Sequence, residues 1–217
     1  ERTLFHMASV TKTFVGTAVI QLAETGQLDL DAPVPSYLPY FTLNDPRSTG
    51  VTARGLLSHT SGMPDTDEFG WEQPEYDDGA LERYVRSLSP LTLDADPGSR
   101  FAYSNIAYEV LGDLVAKLSG ATFEERLAQS LLRPLDMQRS TLLVREADPA
   151  LLAAGHVLDS RGHIVVSKVF PYNRAHAPSS TLYTNVEELA CWAAANINHG
   201  RLNGRRILQP ETHAAML

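Results

Sequence analysis

A serine and a lysine three residues apart stand at the start of the most apolar helix pattern in the chain, in the segment Ser9-Val10-Thr11-Lys12. Residues three apart on a helix share a face, so the Lys12 amine falls within hydrogen-bond reach of the Ser9 hydroxyl. A serine hydroxyl is a poor nucleophile until a neighbouring base takes its proton, and an unprotonated amine is such a base. The same helix end would set backbone N–H groups beside Ser9, where an oxyanion developing in acyl transfer can be stabilised. Serine and lysine are common residues, so about one such match is expected by chance in a chain of this length. Support comes from Tyr103-Ser104-Asn105, which follows a proline-glycine turn and opens a second helix pattern. A tyrosine there can share a proton with a nearby lysine, and the Asn105 amide can donate to a substrate carbonyl. Taken alone, the same residues also suit a helix cap at Asn105 and a packed Tyr103. The spacing recurs at Tyr183-Thr184-Asn185, read as part of the cap of a later helix with no other catalytic pattern beside it.

The elements that must position these residues are written mostly as helices. Val10, Phe14, Val15, Ala18, Val19, Ile20, Leu22 and Ala23 cover most of a helix surface from Ser9 to Thr25, with Gly26 placed to end it. That helix is expected to be central and buried. Thr52 is placed to cap a short helix carrying Leu56 and Leu57, and residues 63–78 read as loop. Val110, Leu111, Leu114, Val115 and Leu118 form one stripe of a helix over 106–118, with Gly120 behind it. Another amphipathic helix spans 123–132 and stops at Arg133-Pro134. Val157, Ile164, Val165, Val166 and Val169 flank Asp159-Ser160-Arg161-Gly162 and predict a hairpin. Thr184-Asn185-Val186-Glu187 reads as a capping box for an alanine-rich helix that closes at Gly200. Leu202-Asn203-Gly204-Arg205 reads as a two-residue hairpin turn, with a last helix starting after Pro210.

Bulk properties narrow the function classes. The chain has 217 residues, 43% hydrophobic and 20% charged, enough to bury a full core within one domain. Its formal net charge is −8. Asp65, Asp67, Glu68, Glu72, Glu75, Asp77, Asp78 and Glu82 precede Arg83 with no base among them, and read as a solvated loop. Nucleic acid is therefore not an expected partner, because phosphate binding needs a basic surface. The lone Cys191 lies in an apolar run and reads as a small buried hydrophobe. There is no apolar stretch of about 18 residues and no basic-then-apolar leader, so a soluble protein is expected. The start at Glu1 suggests that something has been removed upstream. The chain has no Gly-x-Ser-x-Gly elbow and no His-Glu-x-x-His. Its seven histidines lack ligand spacing, and His59 reads as a structural hydrogen-bonding residue of its loop.

Ordered blocks spread along nearly the whole chain resemble the serine β-lactamase and penicillin-binding protein superfamily, in its class C β-lactamase, D-stereospecific peptidase and esterase branch. Phe5-His6-Met7-Ala8-Ser9-Val10-Thr11-Lys12 resembles the nucleophile segment, and Gly26-Gln27-Leu28-Asp29-Leu30-Asp31-Ala32-Pro33-Val34 resembles the segment behind the nucleophile helix. Leu56-Leu57-Ser58-His59-Thr60-Ser61-Gly62-Met63 is similar to a distinctive loop of this branch, and Pro97-Gly98-Ser99-Arg100-Phe101-Ala102-Tyr103-Ser104-Asn105 to its tyrosine motif. The resemblance implies an α+β fold of the β-lactamase/DD-peptidase type, with a helical domain packed on an α/β domain and the site between them. It implies acyl-enzyme hydrolysis of a small-molecule amide, lactam or ester (β-lactams, D-amino-acid peptides or esters) without metal or other cofactor. Ser9 would be the nucleophile, Lys12 and Tyr103 would move the proton, and Asn105 would bind substrate. A secreted or periplasmic setting is implied by the resemblance alone. The family's third motif, Lys-Ser/Thr-Gly or His-x-Gly on a strand, has no counterpart here, and Ser179-Ser180 stands where many relatives carry glycines. Residues 1–217 are then expected to be a single catalytic core truncated at both ends, with an incomplete sheet. The alternative is a non-catalytic fragment that keeps the fold as a binding or structural module.

Overall fold

The computed structural model describes residues 1–216. Strand β1 (Phe5–His6) leads through a 3-10 turn at Ala8–Val10 into helix α1 (Thr11–Glu24). Apolar side chains surround α1, and the fold buries it accordingly: Phe14, Val15, Ala18, Val19 and Leu22 are at most 1% exposed. Each large side chain so buried contributes about 1.5–3 kcal/mol. Helix α2 (Ala53–Leu57) is capped by the Thr52 hydroxyl, which accepts from Gly55 N at 3.2 Å. Helix α3 (Ala80–Ser87) and helix α4 (Asn105–Ser119) come next. The Ser104 hydroxyl caps α4, and Gly120, at φ 68°, ends it in the left-handed conformation that glycine adopts without a Cβ clash. Helix α5 (Phe123–Leu127) starts from a reciprocal capping box between Thr122 and Glu125 and continues as a π-helical turn to Leu132. After strands β2 (His156–Leu158) and β3 (Ile164–Val166) come helix α6 (Ala177–Ser180), strand β4 (Tyr183–Thr184) and helix α7 (Val186–Ile197). Strands β5 (Arg201–Leu202) and β6 (Arg205–Arg206) and helix α8 (Pro210–Ala214) complete the chain.

Helix α4 is the hub. It packs on α1, α2, α3, α5 and α6, and its Val110, Leu111, Leu114 and Val115 are fully buried in the main core. Gly112 lets α6 approach closely, since a methyl group added there would overlap the Pro178 ring. Strand content is slight. β1 pairs antiparallel with β4 in the register Phe5 to Thr184 and His6 to Tyr183, and isolated bridges add Leu152 beside Leu4 and Thr141 beside Tyr183. A second, smaller core of Leu4, Ala147, Tyr172 and Tyr183 is centred on this strip. The β2–β3 hairpin stands apart, with Leu158, Ile164 and Val166 59–75% exposed. In the β5–β6 hairpin, Asn203 and Gly204 both have positive φ, as a type I′ turn requires. Among the described residues, no helix is long and apolar enough to cross a membrane.

Several expectations need correction. Helix α3 begins within the acidic stretch, at Ala80; Gly79 precedes it with no side-chain cap, so no start signal was legible. The acidic stretch is not simply solvated: Arg83 pairs with Glu75 and Asp77, and Arg174 with Asp78. Asn185, not Thr184, caps α7 by accepting from Glu188 N at 3.0 Å. The Glu188 carboxylate turns instead to Ser140, accepting from its N at 2.8 Å and its hydroxyl at 2.6 Å. Tyr183 belongs to a buried strand rather than a cap, because its neighbours pair across the sheet strip. Cys191 is half-buried.

Candidate active site

The turn that carries Ser9 is held from both sides. Ala8, just before it, is left-handed at φ 46°, an uncommon conformation for a residue with a Cβ. The Thr11 hydroxyl donates to Ala8 O at 2.7 Å and accepts from Leu182 N at 3.0 Å, while Met7 N donates to Leu182 O at 2.8 Å. The nucleophile turn is thus stitched to the segment after α6. Ser9 is exposed at the mouth of the site, and Lys12, one turn on, is 6% exposed. Val10 N donates back to Met7 O at 3.1 Å, so that one of the amides beside Ser9 is not available to an oxyanion.

Three acceptors surround Lys12 Nζ: Asn105 Oδ1 at 2.7 Å, Ser179 O at 2.9 Å and Ser9 Oγ at 3.2 Å. The Tyr103 and Tyr108 rings lie 5.1 and 5.6 Å from Nζ, within cation-π range. Tyr103 Oη donates to Ser9 Oγ at 2.9 Å. All four residues singled out from the sequence, Ser9, Lys12, Tyr103 and Asn105, therefore meet in one hydrogen-bonded cluster. Asn105 is not the helix cap; Ser104 is, its hydroxyl accepting from Ala107 N at 3.0 Å and donating to Pro64 O at 2.7 Å. The Asn105 amide group itself is held on its far side. Its Nδ2 donates to Asp65 Oδ1 at 3.0 Å and Thr66 O at 3.1 Å.

Two participants escaped the sequence reading. Asp65 lay within an acidic run that looked uniformly wet, and Ser179 acts through its backbone carbonyl, which no side chain announces. The short helix α6, with Pro178 in its first turn, aims that carbonyl at Lys12.

His59 supports the tyrosine segment. Its Nδ1 accepts from Ser104 N at 3.1 Å, its carbonyl accepts from Ala102 N at 2.7 Å, and its ring lies 4.4 Å from that of Tyr103. Burial first, then the positive charge of Lys12, push the His59 imidazole below its ordinary value, with Asp65 opposing. A protonated Nδ1 cannot accept, so the support is lost on protonation. Above about pH 6.5 the ring is neutral in folded and unfolded chains alike; below it, the unfolded chain takes a proton that the folded chain resists, and stability falls. The melting temperature should therefore drop between pH 7 and pH 5, and the drop should be smaller in His59→Asn, whose side-chain oxygen can still accept from Ser104. An equal drop in both proteins, followed by circular dichroism, would remove His59 from this role.

A cavity of about 440 Å³ lies elsewhere. It is lined by Asp78, Asp113, Lys117, Glu124 and Arg174 among others, and none of its lining residues belongs to the Ser9 cluster. Among the described residues, no group of three or more His, Cys, Asp or Glu is arranged to hold a metal ion.

Comparison with known proteins identifies the family. A family model described as Beta-lactamase matches residues 1–217. Penicillin-binding protein 4 of Amycolatopsis lactamdurans is 33% identical over 155 residues, 71% of this chain and 40% of that protein. Protein flp of Staphylococcus aureus (strain MW2) is 28% identical over 197 residues, 90% of this chain and 39% of that protein. Among solved structures, the octameric penicillin-binding protein homologue from Pyrococcus abyssi is similar with a TM-score of 0.79 and 30% identity, over 98% of this chain and 48% of that one. The chain spans about two fifths of the length of the curated relatives it matches.

Proposed function

The chain belongs to the beta-lactamase family, and from that premise we propose that it is a serine hydrolase working through an acyl-enzyme on a small-molecule amide, lactam or ester. The observation that carries the reading is the pair of contacts on one oxygen: Ser9 Oγ has Lys12 Nζ at 3.2 Å and Tyr103 Oη at 2.9 Å. Asn105 Oδ1 and Ser179 O have no proton to give, so each takes an N–H from Lys12. In the amine form these two bonds use both N–H groups and leave the lone pair for the Ser9 hydroxyl. As Oγ attacks the substrate carbonyl carbon, its proton moves to Nζ and the carbonyl electron pair moves onto oxygen. Collapse of that intermediate re-forms the carbonyl and breaks the bond to the leaving group. The leaving group takes a proton through the Tyr103 hydroxyl, and Lys12 makes good the tyrosine's loss. Water then releases the acyl group by the same route in reverse order.

The test is covalent labelling. After incubation with a fluorophosphonate, intact-mass and peptide analysis should find one adduct, on Ser9, and none on a folded Ser9→Ala variant. Parallel incubation with benzylpenicillin, a D-aminoacyl amide and a p-nitrophenyl ester would distinguish the substrate classes. A wild-type chain that stays unlabelled, or an adduct that persists in Ser9→Ala, would refute the enzyme reading and favour a binding module of the same fold.

A further inference from the structure

We propose that Asp65 is a positioning residue of this site: it locks the Asn105 amide with its oxygen toward Lys12, so that Asn105 belongs to the lysine's cradle. The proposal rests on the reading of Ser9 and Lys12 given above. An asparagine amide can be turned over with little steric change, so its orientation is decided by the groups that face it. On one side of Asn105 stand two acceptors, Asp65 Oδ1 at 3.0 Å and Thr66 O at 3.1 Å from Nδ2. On the other stands a donor, Lys12 Nζ, at 2.7 Å from Oδ1. Turning the amide over would set NH2 against the lysine and C=O against a carboxylate, losing all three bonds at once.

Asp65 is anchored for this task by a second bond to the same residue. Its Oδ1 accepts from Asn105 N at 2.7 Å, at the first residue of α4, where the partial positive charge of the helix end also favours a carboxylate. Backbone and side chain of Asn105 are thereby held by one oxygen. Among the described residues, Asp65 is the one acid bonded to Asn105, though like its neighbours Asp67 and Glu68 it is exposed. Both amide protons of Asn105 are committed, so a substrate carbonyl can take one only by breaking a bond to Asp65 or Thr66. The lysine, in contrast, gains a fixed acceptor that leaves its remaining valence directed at Ser9 Oγ.

The experiment uses irreversible labelling of the whole chain by a fluorophosphonate, with the saturation kinetics resolved into kinact and KI. Asp65→Ala should lower kinact about 10- to 100-fold, the cost of misplacing a reacting group by about an ångström, and leave KI unchanged. Asp65→Asn should stay within about threefold of wild type, because its side-chain oxygen still accepts both bonds. Asp67→Ala, which removes a neighbouring charge, should match wild type. The double variant Asp65→Ala/Asn105→Ala should be no slower than Asn105→Ala alone, the signature of two residues acting through one contact. Should Asp65→Ala not fold, Asn105→Asp supplies the second measurement: it sets two carboxylates against each other and should be slow, and adding Asp65→Asn should recover at least tenfold in kinact. The proposal is overturned if Asp65→Ala labels at the wild-type rate, if its effect lies in KI, if Asp65→Asn is as slow as Asp65→Ala, or if the paired variant shows no recovery. These failures all presuppose an adduct on Ser9 of the wild-type chain; absence of that adduct instead removes the hydrolase reading and the proposal with it.

Discussion

Lys12→Ala should slow phosphonylation of Ser9 by about 10²- to 10⁴-fold, the range that a positioned general base contributes. The variant deletes the group 3.2 Å from Ser9 Oγ and leaves Asn105 Oδ1 and Ser179 O without their shared donor. Tyr103 Oη remains 2.9 Å from Ser9 Oγ but has no lysine to draw on. Lys12→Arg separates the two things a lysine brings. The guanidinium keeps a positive charge beside the same acceptors and cannot give up its proton, so it cannot serve as a base. Both variants should therefore be comparably slow while far-UV circular dichroism stays native. Lys12→Arg within about threefold of wild type would show that charge alone suffices and that the serine proton goes elsewhere.

The largest loss of stability is expected at Arg174, outside the Ser9 cluster. Arg174 and Glu124 are 7% and 6% exposed, and the guanidinium meets both carboxylate oxygens, Nε to Oε1 at 2.9 Å and Nη2 to Oε2 at 3.1 Å. Nη1 also donates to Tyr76 O at 3.0 Å. Arg174→Met leaves Glu124 without its partner, and removing one partner of a buried pair typically costs about 3–5 kcal/mol. Arg174→Met/Glu124→Leu removes both charges and should regain much of that loss, since a buried ion pair and an apolar pair of similar volume are often nearly equivalent. Urea unfolding of the wild type, both single variants and the double variant measures the coupling. A single-variant loss below about 1 kcal/mol would mean that water reaches Glu124 and that the pair is no more than a surface contact.

How legible the site was depended on where its chemistry is written. Ser9 and Lys12 were readable because their relation is local: three residues on one helix, at the head of an unmistakably buried pattern. Tyr103 and Asn105 were readable as a motif but not as a geometry: that the Asn105 oxygen accepts from Lys12 was not foreseen. Asp65 was hidden by company, one acid among eight, and only the arrival of α4 forty residues later singles it out. Ser179 O was not legible at all, because every residue has a carbonyl. The fold divides in the same way. Helices α1 and α4 show their periodicity and their stops at Gly26 and Gly120, whereas α3 is eight residues long and lacks a capping side chain. The β1–β4 pairing joins two-residue strands from distant parts of the chain, too short for any alternation to register. Tyr183 was misread for that reason.

The close approach of Pro178 to Gly112 bears on how the site behaves under thermal motion. The two fixed acceptors of Lys12 sit on different elements, Asn105 at the head of α4 and Ser179 on α6. Gly112 lies two turns along α4, about 10 Å from Asn105, with no side chain to act as a cushion against the proline ring. A displacement of either helix is therefore passed directly to the other, and the two acceptors move as jaws of one clamp. Their separation, which sets the direction in which the lysine nitrogen points, is gauged by a contact between a glycine and a proline ring, which has no freely turning side chain to loosen it.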